Sequence, residues 1–289
     1  MRTVTTAPIL LQAARALCRH HIRGGHFAVR QLQTLGMLDA IAEYDLDGTQ
    51  ISVPLYRIPW DHLDVRNYEA DFIAAFRAAV RSLQDVQLFD CGADIGIFSA
   101  KLCSGLKNIA RIIAFEPNEA VHDFLRLNLA RLAVPFIVTS SALSNRCGPG
   151  RLESPDHSPA DHARFLVMGS GDLKVETLDA YGVRGGNIAI KIDVEGGELA
   201  VLQGAAETIK AATACVVAVE AHPTVASRTG RDPIECLRFL DSLRPFRFTI
   251  AETGEHPSLA DRIIREDQTE IWNIVCSTQG CSSASGRCS

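Results

Sequence analysis

From Val86 onward the chain alternates short apolar stretches with segments of helical spacing, and that alternation leaves few folds open. The apolar stretches are residues 87–91, 111–115, 136–140, 188–192 and 215–220, and the helical ones are 96–106, 120–132, 198–211 and 233–242. Strands that alternate with helices pair in parallel, because each helix carries the chain back across one face of the sheet in a right-handed crossover. Two last β-rich pieces, 246–251 and 270–276, are joined by a polar loop and are expected to form an antiparallel hairpin at the sheet edge. The expected fold class is α/β, a doubly wound, mostly parallel sheet with that edge hairpin.

The region before this pattern reads differently. Residues 1–38 carry five arginines and three histidines and no acidic residue, and Leu10, Ala14, Leu17 and Cys18 share one helical face. An amphipathic basic helix of this kind packs on its own domain or a partner subunit, which is the expectation, or lies peripherally on an anionic membrane surface. Asp47-Gly48, flanked by residues 42–46 and 49–55, predicts a β-hairpin. Tyr68, Phe72, Ile73, Phe76, Val80 and Leu83 then recur at helical spacing. The division expected is a helical and β-hairpin extension over 1–66, a main domain over 67–276 and a Ser/Gly/Cys tail over 277–289. Within the main domain, residues 143–187 mix Gly-Pro-Gly and Ser-Pro turns and predict a loop-rich insertion bordering the ligand crevice.

Composition narrows the partners. A formal net charge of -5 supplies no cationic field for nucleic acid, which is not expected as a partner. The nine cysteines lack a paired spacing, and no run is long and apolar enough to span a bilayer, so a cytoplasmic setting, with peripheral membrane contact through residues 1–38 as the variant, is expected. The last three cysteines, Cys276, Cys281 and Cys288, match no common zinc spacing. No feature sets an oligomeric state.

The chemistry-bearing turn is Asp90-Cys-Gly-Ala-Asp-Ile-Gly96, which joins a strand to a helix. Gly92 and Gly96 let the backbone approach a ligand closely, although a strand-to-helix turn needs glycine for its own geometry too. The next strand ends in Glu116, whose carboxylate at a strand tip suits a pair of ribose hydroxyls. Glu116 lies 24 residues beyond Gly92, which leaves NAD and S-adenosylmethionine both open. Asp94 divides them: its negative charge opposes a pyrophosphate at the helix start and tolerates a sulfonium.

Five segments, Phe89-Asp-Cys-Gly-Ala-Asp-Ile-Gly96, Ala114-Phe-Glu-Pro-Asn118, Ser141-Ala-Leu-Ser144, Lys191-Ile-Asp-Val-Glu-Gly-Gly-Glu198 and Glu220-Ala-His222, together resemble the FkbM family of O-methyltransferases. The likeness runs along about two-thirds of the chain, and the Lys191 to Glu198 block is its most specific part. Where the family usually has Asn and Ala, this chain has Asp94 and Gly197. The resemblance implies a Rossmann-like fold and an S-adenosylmethionine-dependent O-methyltransferase. It implies cofactor contacts from Asp90, Gly92, Asp94 and Gly96, ribose binding by Glu116, adenine-side contacts near Asn118, Ser141 and Ala142, and Asp193 on the sulfonium side.

Methyl transfer to oxygen is an in-line displacement, helped by a group that takes the hydroxyl proton. Lys191, Asp193 and Glu195 end the fourth strand, Glu220 and His222 the fifth, and adjacent strand ends open on one crevice. His222 is the leading base because imidazole titrates near neutrality; the alternative is a histidine that orders the turn before Pro223. Lys191 is expected to pair with a carboxylate. Asp193, Glu195, Glu220 and His222 also carry the ligand chemistry for a divalent cation, against which stands their use as hydrogen-bond acceptors for sugar hydroxyls. The expected acceptor is a hydroxyl of a saccharide in a glycan or glycolipid, with a polyketide-like small molecule and a non-catalytic cofactor-binding scaffold as alternatives.

Overall fold

The computed structural model describes residues 2–4, 9–19, 24–46, 48–60, 63–154, 164–181, 185–265 and 267–278. The chain opens with β1 (Arg2–Val4), α1 (Ile9–Arg19), α2 (Gly25–Thr34), β2 (Ala40–Leu46), β3 (Thr49–Pro54), α3 (Arg57–Trp60) and α4 (Ala70–Val80). β2 and β3 form the expected antiparallel hairpin, and β1 adds in parallel to β2. Gly48 adopts φ 87° in its turn, and its N–H donates to Asp45 Oδ1 at 2.8 Å; Asp47 lies outside the described residues. On α1, Leu11, Ala14 and Cys18 are buried in one cluster with Val29, Ile51, Val53, Ile95 and Ile97. The apolar face of α1 therefore packs on its own domain, while most of the basic side chains of 1–38 lie outside the described set.

The alternation that follows gives β4 (Val86–Cys91), α5 (Ile97–Ser104), β5 (Ile109–Phe115), α6 (His122–Ala130) and β6 (Phe136–Thr139). After them come β7 (Ala142–Leu143), β8 (Gly148–Glu153), β9 (Phe165–Met168), β10 (Leu173–Glu176) and β11 (Asn187–Ile192). The last elements are α7 (Glu198–Gln203), α8 (Ala206–Ala211), β12 (Ala214–Ala221), α9 (Pro223–Thr229), α10 (Ile234–Leu243), β13 (Phe246–Ile250) and β14 (Trp272–Thr278). The main sheet has seven strands in the order β13-β14-β12-β11-β4-β5-β6. β14 runs antiparallel to both neighbours, and the remaining pairs from β12 to β6 are parallel. This is a Rossmann-like, doubly wound α/β fold.

Helices cover both faces, which is why the central strands read as unbroken apolar runs. Phe72 and Phe76 of α4, Phe98 and Leu102 of α5 and Leu125 and Leu129 of α6 pack on one face against Leu88, Ile112 and Val216. Val201, Ile209, Leu237 and Leu240 pack on the other against Phe89, Ile190 and Val217. Strand order reverses between β4 and β11, so the carboxyl ends of these two strands flank the crevice in which such sheets bind ligands.

Three expectations change. The 246–276 hairpin forms, but β14 inserts beside β12 and only β13 is the edge. The helix expected over 198–211 is broken into α7 and α8, because Gly204 passes so close to the backbone that a Cβ there would lie 2.1 Å from the Ser144 carbonyl oxygen. The 143–187 insertion, read as loop-rich, contains most of a four-stranded sheet of order β7-β10-β8-β9. Its strands are two to six residues long and broken by glycine, too short for a period to show; a Cβ on Gly150 would meet Leu166 and Val175 side chains at 2.8 Å. Pro155 and Ser158-Pro159 of that insertion, and the tail with Cys281 and Cys288, lie outside the described residues. Cys276 is a buried residue of β14.

Candidate active site

A cavity of about 600 Å³ opens at the β4/β11 switch point, roomy enough for a nucleoside-sized ligand. Gly92, Asp94, Glu116, Asn118, Ser141, Ala142, Lys191, Asp193, Glu195, Glu220 and His222 all line it. Asp90 and Gly96 do not. Asp90 is fully buried behind the wall, where Oδ2 accepts from Ser99 Oγ at 2.6 Å and Oδ1 faces Lys191 Nζ at 3.7 Å. Gly96 starts α5 at φ 82°, with Leu125 3.0 Å from where its Cβ would stand. In this structure both stand behind the cavity wall, where they shape the turn.

The close approach expected of the turn is real. Gly92 adopts φ 81°, and a Cβ there would sit 1.9 Å from the Asp193 carbonyl oxygen, so β4 and β11 can end side by side only with glycine between them. Gly92 and Ala93 N–H both donate to Phe115 O, at 2.9 and 3.0 Å. Asp94 N–H donates to Glu116 Oε2 at 2.9 Å, and Asn118 N–H to Oε1 at 2.8 Å. Glu116 is thus held at the tip of β5 with lone pairs to spare for two hydroxyls. Burial, followed by the nearby Asp94 charge, pushes its carboxyl up to about 7.

Asp94 is not a lone charge in the turn. Arg57 of α3, almost wholly buried, grips Asp94 with two bonds of 2.8 Å and offsets part of its charge. The N–H groups at 92, 93, 94 and 96 are engaged by Phe115, Glu116 and Ala93 acceptors, which fixes the path of the turn.

On the β11 side, Lys191 Nζ donates to Gly92 O at 2.6 Å and pairs with Asp193 Oδ2 at 3.0 Å. Asp193 and Asp90 outweigh the effect of burial and hold it firmly protonated, which removes it as a proton acceptor. Glu195, at φ 57°, faces Arg228 at 3.8 Å, and Arg228 lies 4.7 Å over the Phe165 ring of the small sheet. Glu220 is half-buried near Asp193, Glu195 and Glu69; desolvation first and then these charges raise its carboxyl well above the ordinary range.

His222 stands at the start of α9. Its Nδ1 accepts the Thr224 N–H at 3.1 Å, capping α9, and burial lowers its protonation. The ring's one lone pair is used by that cap, so the neutral ring carries its proton on Nε2 and donates. This is the turn-ordering arrangement weighed for His222. Among the described residues, no group of three or more His, Cys, Asp or Glu side chains is arranged to hold a metal ion, so Asp193, Glu195, Glu220 and His222 do not form the cage considered for them.

Several cavity residues were not legible in the sequence. Arg57, Glu69, Phe165 and Arg228 line it alongside the residues expected. A Glu just before a helix, as at Glu69, is ordinary helix-start chemistry, and nothing marks Arg57 as the partner of a residue 37 positions away.

A doubly wound sheet, a carboxylate held at the tip of β5 and a crevice at the strand-order switch point define the class as a Rossmann-like α/β ligand-binding domain. Residues 90–248 match the methyltransferase FkbM domain, and the chain belongs to that family. It is 29% identical over 166 residues to the hexuronic acid methyltransferase AglP of Haloferax volcanii, a match covering 56% of this chain and 64% of that protein. In fold it is similar to TYW2 of M. jannaschii in complex with AdoMet, with a TM-score of 0.43, 14% identity and 82% and 84% of the two chains covered. It is also similar to a precorrin-6y C5,15-methyltransferase from Geobacter metallireducens, with a TM-score of 0.39, 12% identity and 72% and 88% covered.

Proposed function

We propose that this methyltransferase acts on a sugar hydroxyl of a glycan or glycolipid. The observation that carries the proposal is the cavity wall beyond the cofactor half, where Asp193, Glu195 and Glu220 converge with the Nε2–H of His222 and the Phe165 ring. Carboxylates that accept hydrogen bonds beside an aromatic face suit a polyhydroxylated ligand. The relative named for a hexuronic acid supports a sugar over a polyketide-like acceptor.

S-adenosylmethionine supplies an electrophilic methyl group on a positively charged sulfur. Glu116 anchors the ribose and Asp193 faces the sulfonium side. Bound there, the cofactor would offer its methyl carbon to an acceptor oxygen with the sulfide as leaving group, and Glu220 would take the hydroxyl proton. We assign Glu220 this role because His222 has no free lone pair and Lys191 is protonated. A carboxyl raised by burial must ionise before it can accept a proton, so turnover rises with pH through the raised Glu220 value.

A labelled-methyl screen over sugar nucleotides, free glycans, lipid-linked saccharides and polyketide-like alcohols tests the acceptor. Label should appear in a saccharide; label confined to the polyketide-like alcohols refutes the sugar reading. On the true acceptor, Glu220→Gln should lower kcat by about a hundredfold or more and flatten the rising limb of the pH profile.

A further inference from the structure

Glu69 lies outside the region that matches the family domain, yet its carboxyl lines the cavity beside Lys191 and Asp193. Three observations set it apart. Its backbone is left-handed at φ 44°, an unfavourable conformation for a residue with a side chain, and such strain is retained where the surroundings impose it. The surroundings do impose it: Lys101 of α5 donates from Nζ to Val65 O, Arg66 O and Tyr68 O, at 3.5, 2.9 and 2.9 Å, lashing the segment before α4 to the helix of the cofactor turn. And Glu69 Oε2 is sealed from solvent with no hydrogen-bond partner.

The cluster around it is short of positive charge. Among the described residues, Asp90, Asp193 and Glu69 surround one cation, Lys191, whose bonds to Gly92 O and Asp193 are already made. Asp90 Oδ1 is likewise buried without a hydrogen bond. A carboxylate that stays unpartnered in a site of low polarity costs free energy, and a ligand cation relieves it. Glu116 holds the ribose on the β5 side of the turn, so the amino-acid end of the cofactor has the β11 side to run toward, which is where Glu69 stands.

We propose that Glu69 receives the α-ammonium of the cofactor's methionine end, making it a cofactor-recognition residue contributed from outside the matched domain. This rests on the S-adenosylmethionine assignment and is independent of the acceptor. Burial and then Asp193 push the Glu69 carboxyl up to about 7, so below that pH it binds the cofactor by giving up a proton.

The test compares S-adenosylhomocysteine, which keeps the amino-acid end, with 5′-methylthioadenosine, which lacks it. In wild type and Glu69→Gln protein, calorimetry at pH 6 in buffers of different ionisation enthalpy gives both affinity and protons released. Glu69→Gln should weaken S-adenosylhomocysteine by about ten- to a hundredfold, as for a charged hydrogen bond, and leave methylthioadenosine unchanged. It should also abolish most of one proton released by the wild type at pH 6. Equal weakening of both ligands, or no weakening of either, overturns the proposal; so does unchanged affinity with a loss of kcat, which would make Glu69 an acceptor-side group. Failure of the wild type to bind either ligand would instead strike the cofactor assignment.

Discussion

Arg57 and Asp94 show how much one residue's meaning depends on a partner that the sequence does not announce. Asp94 stands where the family has asparagine, and the structure supplies the compensation in a buried guanidinium that fits the carboxylate with two bonds. Asp94→Asn alone keeps Arg57 charged and buried without the carboxylate that grips it, as Arg57→Met takes the guanidinium from Asp94, so each single change should destabilise more than the pair together. Because Asp94 keeps a side-chain exposure of 35%, we expect a coupling of about 1–2 kcal/mol in a denaturation double-mutant cycle. Additive single effects would show that the pair is not coupled. His222 makes a second test at this scale. His222→Ala removes the α9 cap and should cost about 1 kcal/mol, whereas His222→Asn keeps a capping side chain and should restore stability together with measurable turnover. Loss of all turnover in His222→Asn, with its melting temperature intact, would return the histidine to the chemistry.

At the scale of elements, strands at the sheet centre were legible because burial on both faces leaves an apolar run bounded by turns, as in β4 and β11. The small sheet over β7–β10 was not, since strands this short carry no period that separates them from loop. Nor was the break at Gly204, which is set by contact with Ser144 rather than by any neighbour in sequence. The same distinction predicts opposite outcomes for two glycines in the motif segments. Gly92→Ala must push β11 away from β4 and should cost several kcal/mol along with cofactor binding. Gly197→Ala restores the family residue at φ −96°, where the nearest atom to the new Cβ is 3.4 Å away, and should leave stability within about 1 kcal/mol of wild type. Thermal melts with and without S-adenosylmethionine separate the two cases.

For the molecule as a whole, the cavity holds more carboxylates than its cations balance, and the unliganded protein should feel this in its pH dependence. Glu69 and Glu116 rise from an ordinary 4.5 to about 7 in the folded state. Between those values the folded chain binds more protons than the unfolded one, so the stability these groups confer is full below 4.5 and is lost as pH rises through about 7. Melting temperature of the unliganded protein should therefore fall from pH 5 toward pH 8, and Glu116→Gln should reduce that slope; an unchanged slope would show that Glu116 is not raised. By itself the sequence determined the sheet, the glycine turn, the ribose acid and the run of carboxylates at the ends of β11 and β12, because each is written in consecutive residues whose spacing is that of a strand, a turn or a helix. Only the tertiary structure decided which charges are cancelled, which lone pairs are free and which residues arrive from afar. Arg57 on Asp94, the cap that His222 makes and the clamped backbone just before Glu69 all depend on groups brought together by packing, and packing distances have no fixed counterpart along the chain.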